Sequence, residues 1–135
     1  MFRRAIAARP SEAGPHGKLG ICLVEAGDLD GADAAFAKER EIDARSVEAA
    51  NGLATVALVR GDLKTARLRY LDTLAIDQMN VPARRGLAAI EEAPGGNAVE
   101  ALRWCEDIRR IAPETPGNDD CIHRNQERIG RTSGS

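Results

Sequence analysis

Aromatic side chains are nearly absent: two phenylalanines, one tyrosine and one tryptophan make up 3% of 135 residues. A β-sandwich or barrel fills its interior with such large side chains, so their scarcity beside abundant alanine points to closely packed helices. An excess of basic charge is also missing. Lys and Arg number 19 against 21 Asp and Glu, for a net charge of -2, which leaves no broad positive field for nucleic acid. Long apolar runs are lacking too: the stretch Ala5, Ile6, Ala7, Ala8 is broken by Arg9 and Pro10, too short for the core of a signal peptide, and nothing approaches a membrane span. The expectation is a soluble chain without direct membrane insertion, cytoplasmic by default, or periplasmic if a signal was removed from a longer precursor. The three cysteines, Cys22, Cys105 and Cys121, show no C-x-x-C spacing and cannot all pair, so a secreted disulfide framework is not indicated and a reducing compartment is the default.

What the sequence does contain is a period. Leu19, Leu53 and Leu87 follow one another at intervals of 34 residues, as do Gly20, Ala54 and Ala88, and the aromatics Phe2, Phe36 and Tyr70. Gly27, Asp28, Leu29 and Ala32 return as Gly61, Asp62, Leu63 and Ala66, and Ile42 returns as Ile76. A fixed period of this length signals a repeat architecture in which each unit buries its apolar face on the next. Within a unit the apolar residues fall at helical spacing, first Leu19, Leu23 and Ala26, then Ala32, Ala35, Phe36 and Ile42, so each unit reads as two helices. Between them the Gly-Asp pairs supply a left-handed residue to end one helix and a carboxylate to cap the next. In the third unit Pro94, Gly95 and Gly96 take this role, and Ala101, Cys105, Ile108, Ile111 and Pro113 regain the register with one extra residue, a one-residue loop insertion.

These features resemble the tetratricopeptide repeat (TPR), which runs from an aromatic through Leu-Gly and a further large residue to Ala, an aromatic and Pro. One repeat carries Leu19, Gly20, Leu23, Gly27, Ala32 and Phe36. The next carries Leu53, Ala54, Ala57, Gly61, Ala66 and Tyr70, and the third Leu87, Ala88, Ala101, Cys105 and Pro113. The opening aromatic slot holds His16, Ala50 and Arg84 instead, and Ala44 and Gln78 replace the closing proline. The resemblance implies an all-α fold: a right-handed superhelical solenoid of antiparallel helix pairs, about three TPR units with an N-terminal half-repeat and a C-terminal capping helix. A single domain over 1–130 is expected, comprising a half-repeat 1–12 carrying Phe2, Ala5, Ile6 and Pro10, repeats 13–46, 47–80 and 81–115, and a polar cap 116–130. Residues 131–135 read as a disordered tail.

No catalytic residue, cofactor site or metal site emerges, and an enzyme is not expected. Gly14, Gly17, Lys18 and Gly20 lack the Gly and Ser/Thr that a phosphate loop needs at Glu12 and Leu19, so they read as a structural loop starting a helix. His16 sits in a packing slot and reads as partly buried; neither it nor His123 belongs to a nucleophile or zinc motif. Cys105 takes the slot of Phe36 and Tyr70 and reads as a small core residue, and Cys22 reads as core. Whether Cys105 and Cys121 form a disulfide between neighbouring helices is left open, as is an incomplete metal set with His123. Trp104 reads either as an exposed anchor or as a cover over the turn carrying the insertion.

In the family the first helix of each repeat lines a concave surface. Register then assigns Glu48, Asn51, Thr55 and Leu58 to that surface in the second complete unit, Arg85, Ala89 and Glu92 in the third, and Asp120 and Arg124 in the cap. This mixed-charge groove suits a protein or peptide partner with both acidic and apolar residues. The slots that clamp a terminal carboxylate in some relatives hold Gly17, Ile21, Pro82 and Gly86, so that mode is disfavoured. The resemblance implies a protein-interaction scaffold. The alternatives are a self-association module, a homo-oligomer included, or a regulatory module of a larger enzyme or secretion assembly, and behind these a redox or metal-sensing module.

Overall fold

The computed structural model describes residues 14–133; the segment expected as a half-repeat lies outside them. Among the described residues there are seven helices and no strand. They fall into two compact units divided after Gln78. Where one folded unit over 1–130 was expected, the break falls close to a repeat boundary, as repeat arrays allow because each repeat contacts only its neighbours.

The first unit contains α1 (Gly14–Glu25), α2 (Leu29–Ile42), α3 (Val47–Val59) and α4 (Leu63–Ile76). Short turns make successive helices antiparallel neighbours, and α1 packs on α2, α2 on α3, α3 on α4, with α1 also touching α3. The turns between α1 and α2 and between α3 and α4 are built alike. Gly27 and Gly61 take φ of 84° and 82°. Asp28 N donates to Leu23 O (2.8 Å) and Gly27 N to Val24 O (3.0 Å), the paired bonds that close a helix through a left-handed residue; Asp62 N to Ala57 O (2.9 Å) and Gly61 N to Leu58 O (3.0 Å) repeat them. The aspartates then cap the next helix, Asp28 accepting from Gly31 N and Asp62 from Thr65 N. Thr65 holds the Asp62 carboxyl below its ordinary pKa by bonding its ionised form.

The core of this unit gathers Ala32, Phe36 and Val56, with Leu23, Val24, Leu29 and Leu53 against them. Phe36 is 1% exposed, and removing such a ring from water contributes about 1.5–3 kcal/mol. Its ring needs the two glycines it rests between: a Cβ on Gly20 would lie 2.5 Å from Phe36 Cε1, and one on Gly52 would collide with the same ring. The glycines at 17 and 20 therefore sit inside α1, where a loop was expected, and Gly20 serves close packing.

The second unit contains α5 (Val81–Glu92), α6 (Ala98–Ile111) and α7 (Asn118–Ser133), with α6 packed on both others. Ser46 caps α3 and Asn80 caps α5 by accepting from Ala49 N and Ala83 N. The spacing gains one residue before α6, since α2, α4 and α6 begin at Leu29, Leu63 and Ala98, and the turn 93–97 is longer than its counterparts 26–28 and 60–62. Gly95 (φ 85°) makes the left-handed step there and Asn97 caps the helix, accepting from Val99 N and Glu100 N. The core holds Ala88, Cys105, Cys121 and Ile122, with Leu102 and Trp104 packed on it. Trp104 is therefore half-buried against the core. The structure departs from the sequence expectation at the C-terminus and at Cys22. The last helix continues through Gly130 to Ser133, because α7 has no proline or left-handed residue to stop it where the tail was placed. Cys22 is exposed: it lies two residues beyond Gly20, about 200° around α1 from the face that meets Phe36.

Candidate functional site: two helix-lined grooves

In the first unit α1, α2 and α3 enclose a groove of about 370 Å³. Glu48, Asn51, Gly52 and Thr55 form one stripe of α3 at spacings of three and four residues; Ile21, Val24 and Glu25 form the facing stripe of α1, and Phe36 supplies the floor. Three of the four residues expected here, Glu48, Asn51 and Thr55, are thus brought together. Leu58 is not: one turn further along α3, it lies at the helix end and lines no part of the groove. Thr55 is fixed from behind, its hydroxyl donating to Asn51 O (2.8 Å) and lying 3.3 Å from the Tyr70 hydroxyl. Burial pushes the Tyr70 phenol up, with the Thr55 bond opposing.

At one end of this groove Glu48 crosses over Gly17, whose missing side chain leaves it room: a Cβ there would lie 2.7 Å from Glu48 Cδ. Behind it stands Glu39, 0% exposed, with Ser46 Oγ donating to Oε2 at 3.5 Å and Oε1 without a partner. Burial raises the Glu39 pKa, and the charges of Glu48 and Asp43 raise it further against the bonds from Ser46 and the Gly17 backbone. Of Ile21, Val24 and Glu25, the sequence reading named only Ile21, as a carboxylate-clamp slot without a cation, and assigned none of them to the lining. The signal was available for the first two, which stand one period of 34 before Thr55 and Leu58.

The second unit has a smaller groove, about 280 Å³, between α5 and α7. It brings together Arg85, Ala89, Glu92 and Arg124, four of the five residues expected in this half, over a wall that includes Asn118 and Cys121. The fifth, Asp120, is exposed and lies outside it. The pair Glu92 and Arg124 is self-neutralising. Arg124 Nε and Nη2 donate to the two Glu92 carboxylate oxygens at 2.5 and 3.1 Å, and this bonding raises the guanidinium pKa. Arg85 is left as the exposed cation of the groove, while Arg84 turns to the Asn80 carbonyl at 3.2 Å. A buried amide, Asn125 (0% exposed), ties α7 down by donating to Glu92 Oε2 (3.2 Å) and accepting from Arg128 Nη1 (2.6 Å). Neither Asn125 nor Arg128 stood out in the sequence, where a polar helix read only as a cap.

Cys105 and Cys121 are joined as a disulfide, with Cα atoms 6.2 Å apart. In repeat register, allowing the extra residue, Cys105 stands where Phe36 stands and Cys121 where Gly52 stands. The contact of ring on glycine in the first unit is thus replaced by a covalent link in the second. Asn118 reinforces it by donating to Cys105 O at 2.8 Å. Among the described residues no group of three or more His, Cys, Asp or Glu is placed to hold a metal, and His123 faces solvent. His16 is half-buried. No helix of the described residues is long and apolar enough to cross a membrane.

No protein-family model matches the sequence, and neither does any curated protein at the sequence level. Solved structures do match. The crystal structure of MamA superposes with a TM-score of 0.80 at 19% identity, covering 96% of this chain and 75% of that one. YrrB, described as a TPR protein with an unusual peptide-binding site, gives 0.80 at 18% identity over 98% of this chain and 68% of its own. The first TPR domain of human RPAP3 gives 0.83 at 15% identity over 93% and 98%. Helix pairs at a period of 34, Gly-Asp turns of one design and these superpositions agree, and the chain has the all-α tetratricopeptide-repeat fold.

Proposed function

We propose that this protein is a non-catalytic interaction scaffold whose two helix-lined grooves each hold a segment of a partner polypeptide. The observation that carries the reading is positional. Side chains that register assigns to the lining face of first helices, Asn51 and Thr55 in one unit and Arg85 and Ala89 in the other, lie together around open grooves with apolar floors. A groove with an apolar base and a few polar groups on its rim is what an extended or helical peptide needs. Likeness supports the reading further, since the first TPR of Spaghetti (RPAP3) was solved bound to the HSP90 peptide SRMEEVD and YrrB has a peptide-binding site. The carboxylate-clamping mode remains disfavoured, because Gly17, Ile21, Pro82 and Gly86 supply no cation.

Affinity capture from the source lysate tests the reading, with wild type compared against a folded Asn51→Ala, Arg85→Ala double variant. A protein retained by wild type and lost by the variant is the expected result. Equal capture by both, or recovery of the chain alone, overturns the groove reading and moves the weight to self-association.

A further inference from the structure

We infer that the groove of the first unit selects a cationic and apolar segment, a lysine or arginine flanked by apolar side chains, and rejects an acidic one. This rests on the reading that the groove holds a peptide, and adds the chemistry of the occupant. One wall of the groove is apolar and stands over a buried aromatic floor. Ile21, 44% exposed, stands beside the half-buried Val24 above the buried ring of Phe36. These surfaces gain by receiving an apolar side chain.

The charge decides what accompanies that side chain. Both ionisable residues lining the groove, Glu25 and Glu48, are acidic, and no lining residue is a cation. A third carboxyl, Glu39, sits behind Glu48, wholly buried and with one oxygen unpartnered. Ion pairs consume other acids of this unit, such as Glu41 with Lys38 and Asp72 with Arg69 and Arg40, but none of these reaches Glu25 or Glu48 among the described residues. An incoming ammonium or guanidinium would therefore meet a negative site beside low-dielectric walls, where attraction is strengthened, and a carboxylate would meet repulsion from the same groups. The second unit differs, with Arg124 already paired to Glu92 and Arg85 exposed, so the selectivity belongs to the first groove.

The test uses three labelled eight-residue peptides, one alternating leucine with lysine and two in which glutamine or glutamate replaces lysine, titrated into the full chain at low salt. Amide shifts of Gly52 and Thr55 report on the site. The lysine peptide should bind about tenfold tighter than the glutamate peptide, as expected for a few partly desolvated charge contacts. That preference should shrink severalfold in the Glu25→Gln, Glu48→Gln variant and in about 0.5 M salt. Equal affinity for all three peptides with shifts at Gly52 and Thr55 overturns the charge selectivity and leaves the groove reading standing. Shifts elsewhere, or binding of none, overturn both. Because Glu25 is exposed and Glu48 half-buried, the double variant should fold, and a melting temperature no lower than that of wild type verifies it. A preference for lysine that persists undiminished in that folded variant also overturns the assignment.

Discussion

Breaking the link between Cys105 and Cys121 should cost the second unit a large share of its stability. The bridge spans 16 residues of sequence, for which the loop-entropy relation gives about 3 kcal/mol. A unit as small as Met79–Ser135, at roughly 0.05–0.15 kcal/mol per residue, has only about 3–9 kcal/mol in total. Reduction should therefore lower the melting temperature of this half by about 12–24 °C. Below the transition the fold should survive, because Cys105 remains a buried apolar side chain beside Ala88 and Ile122. Thermal melts with and without a phosphine reductant give the magnitude, and native hydrogen exchange gives the location: protection should fall in α5 to α7 and hold in α1 to α4. Thiol titration of the denatured, unreduced chain should count one thiol, Cys22. Three thiols in that count, or one thiol with a melting curve indifferent to reductant, would refute the reasoning.

Glu39 makes stability depend on pH in a direction opposite to that of an ion-paired carboxylate. Its pKa is raised by burial, so the folded chain holds this proton more tightly than the unfolded one. Stability is then greatest below the ordinary value of 4.5 and is lost as pH rises from there through the raised value. Urea midpoints between pH 4 and 8 should fall across that window in wild type and stay flatter in Glu39→Gln, which should be the more stable protein at pH 7; superimposable profiles would rule this out. Asn97→Ala removes an acceptor used by two backbone N–H groups at the start of α6 and should cost about 1 kcal/mol in chemical denaturation, where a shift under a few tenths would contradict the assigned cap.

The repeats were legible in the sequence because their marks are local. The Gly-Asp turns and the single extra residue before α6 each leave a trace in the spacing of residues along the chain. The groove was legible wherever register alone sets direction, as for Glu48, Asn51, Thr55, Arg85, Ala89, Glu92 and Arg124. Leu58 and Asp120 share that register but not the groove, because register sets a direction and does not fix where along the helix a groove ends. The buried Glu39 and Asn125 were illegible for another reason: a polar residue is assigned to solvent by default, and only the folded neighbours Ser46, Glu92 and Arg128 provide its reason to be inside. Pairing of Cys105 with Cys121 required the distance between α6 and α7, which spacing leaves open.

The most direct test of the scaffold reading is a titration of the isotope-labelled chain with the partner segment recovered by affinity capture, followed by amide chemical shifts. The largest changes should fall at Ile21, Asn51, Gly52 and Thr55 in the first unit or at Arg85, Ala89 and Arg124 in the second. Changes confined to the exposed apolar residues Leu68 and Leu71 of α4, with the groove residues unmoved, would contradict it.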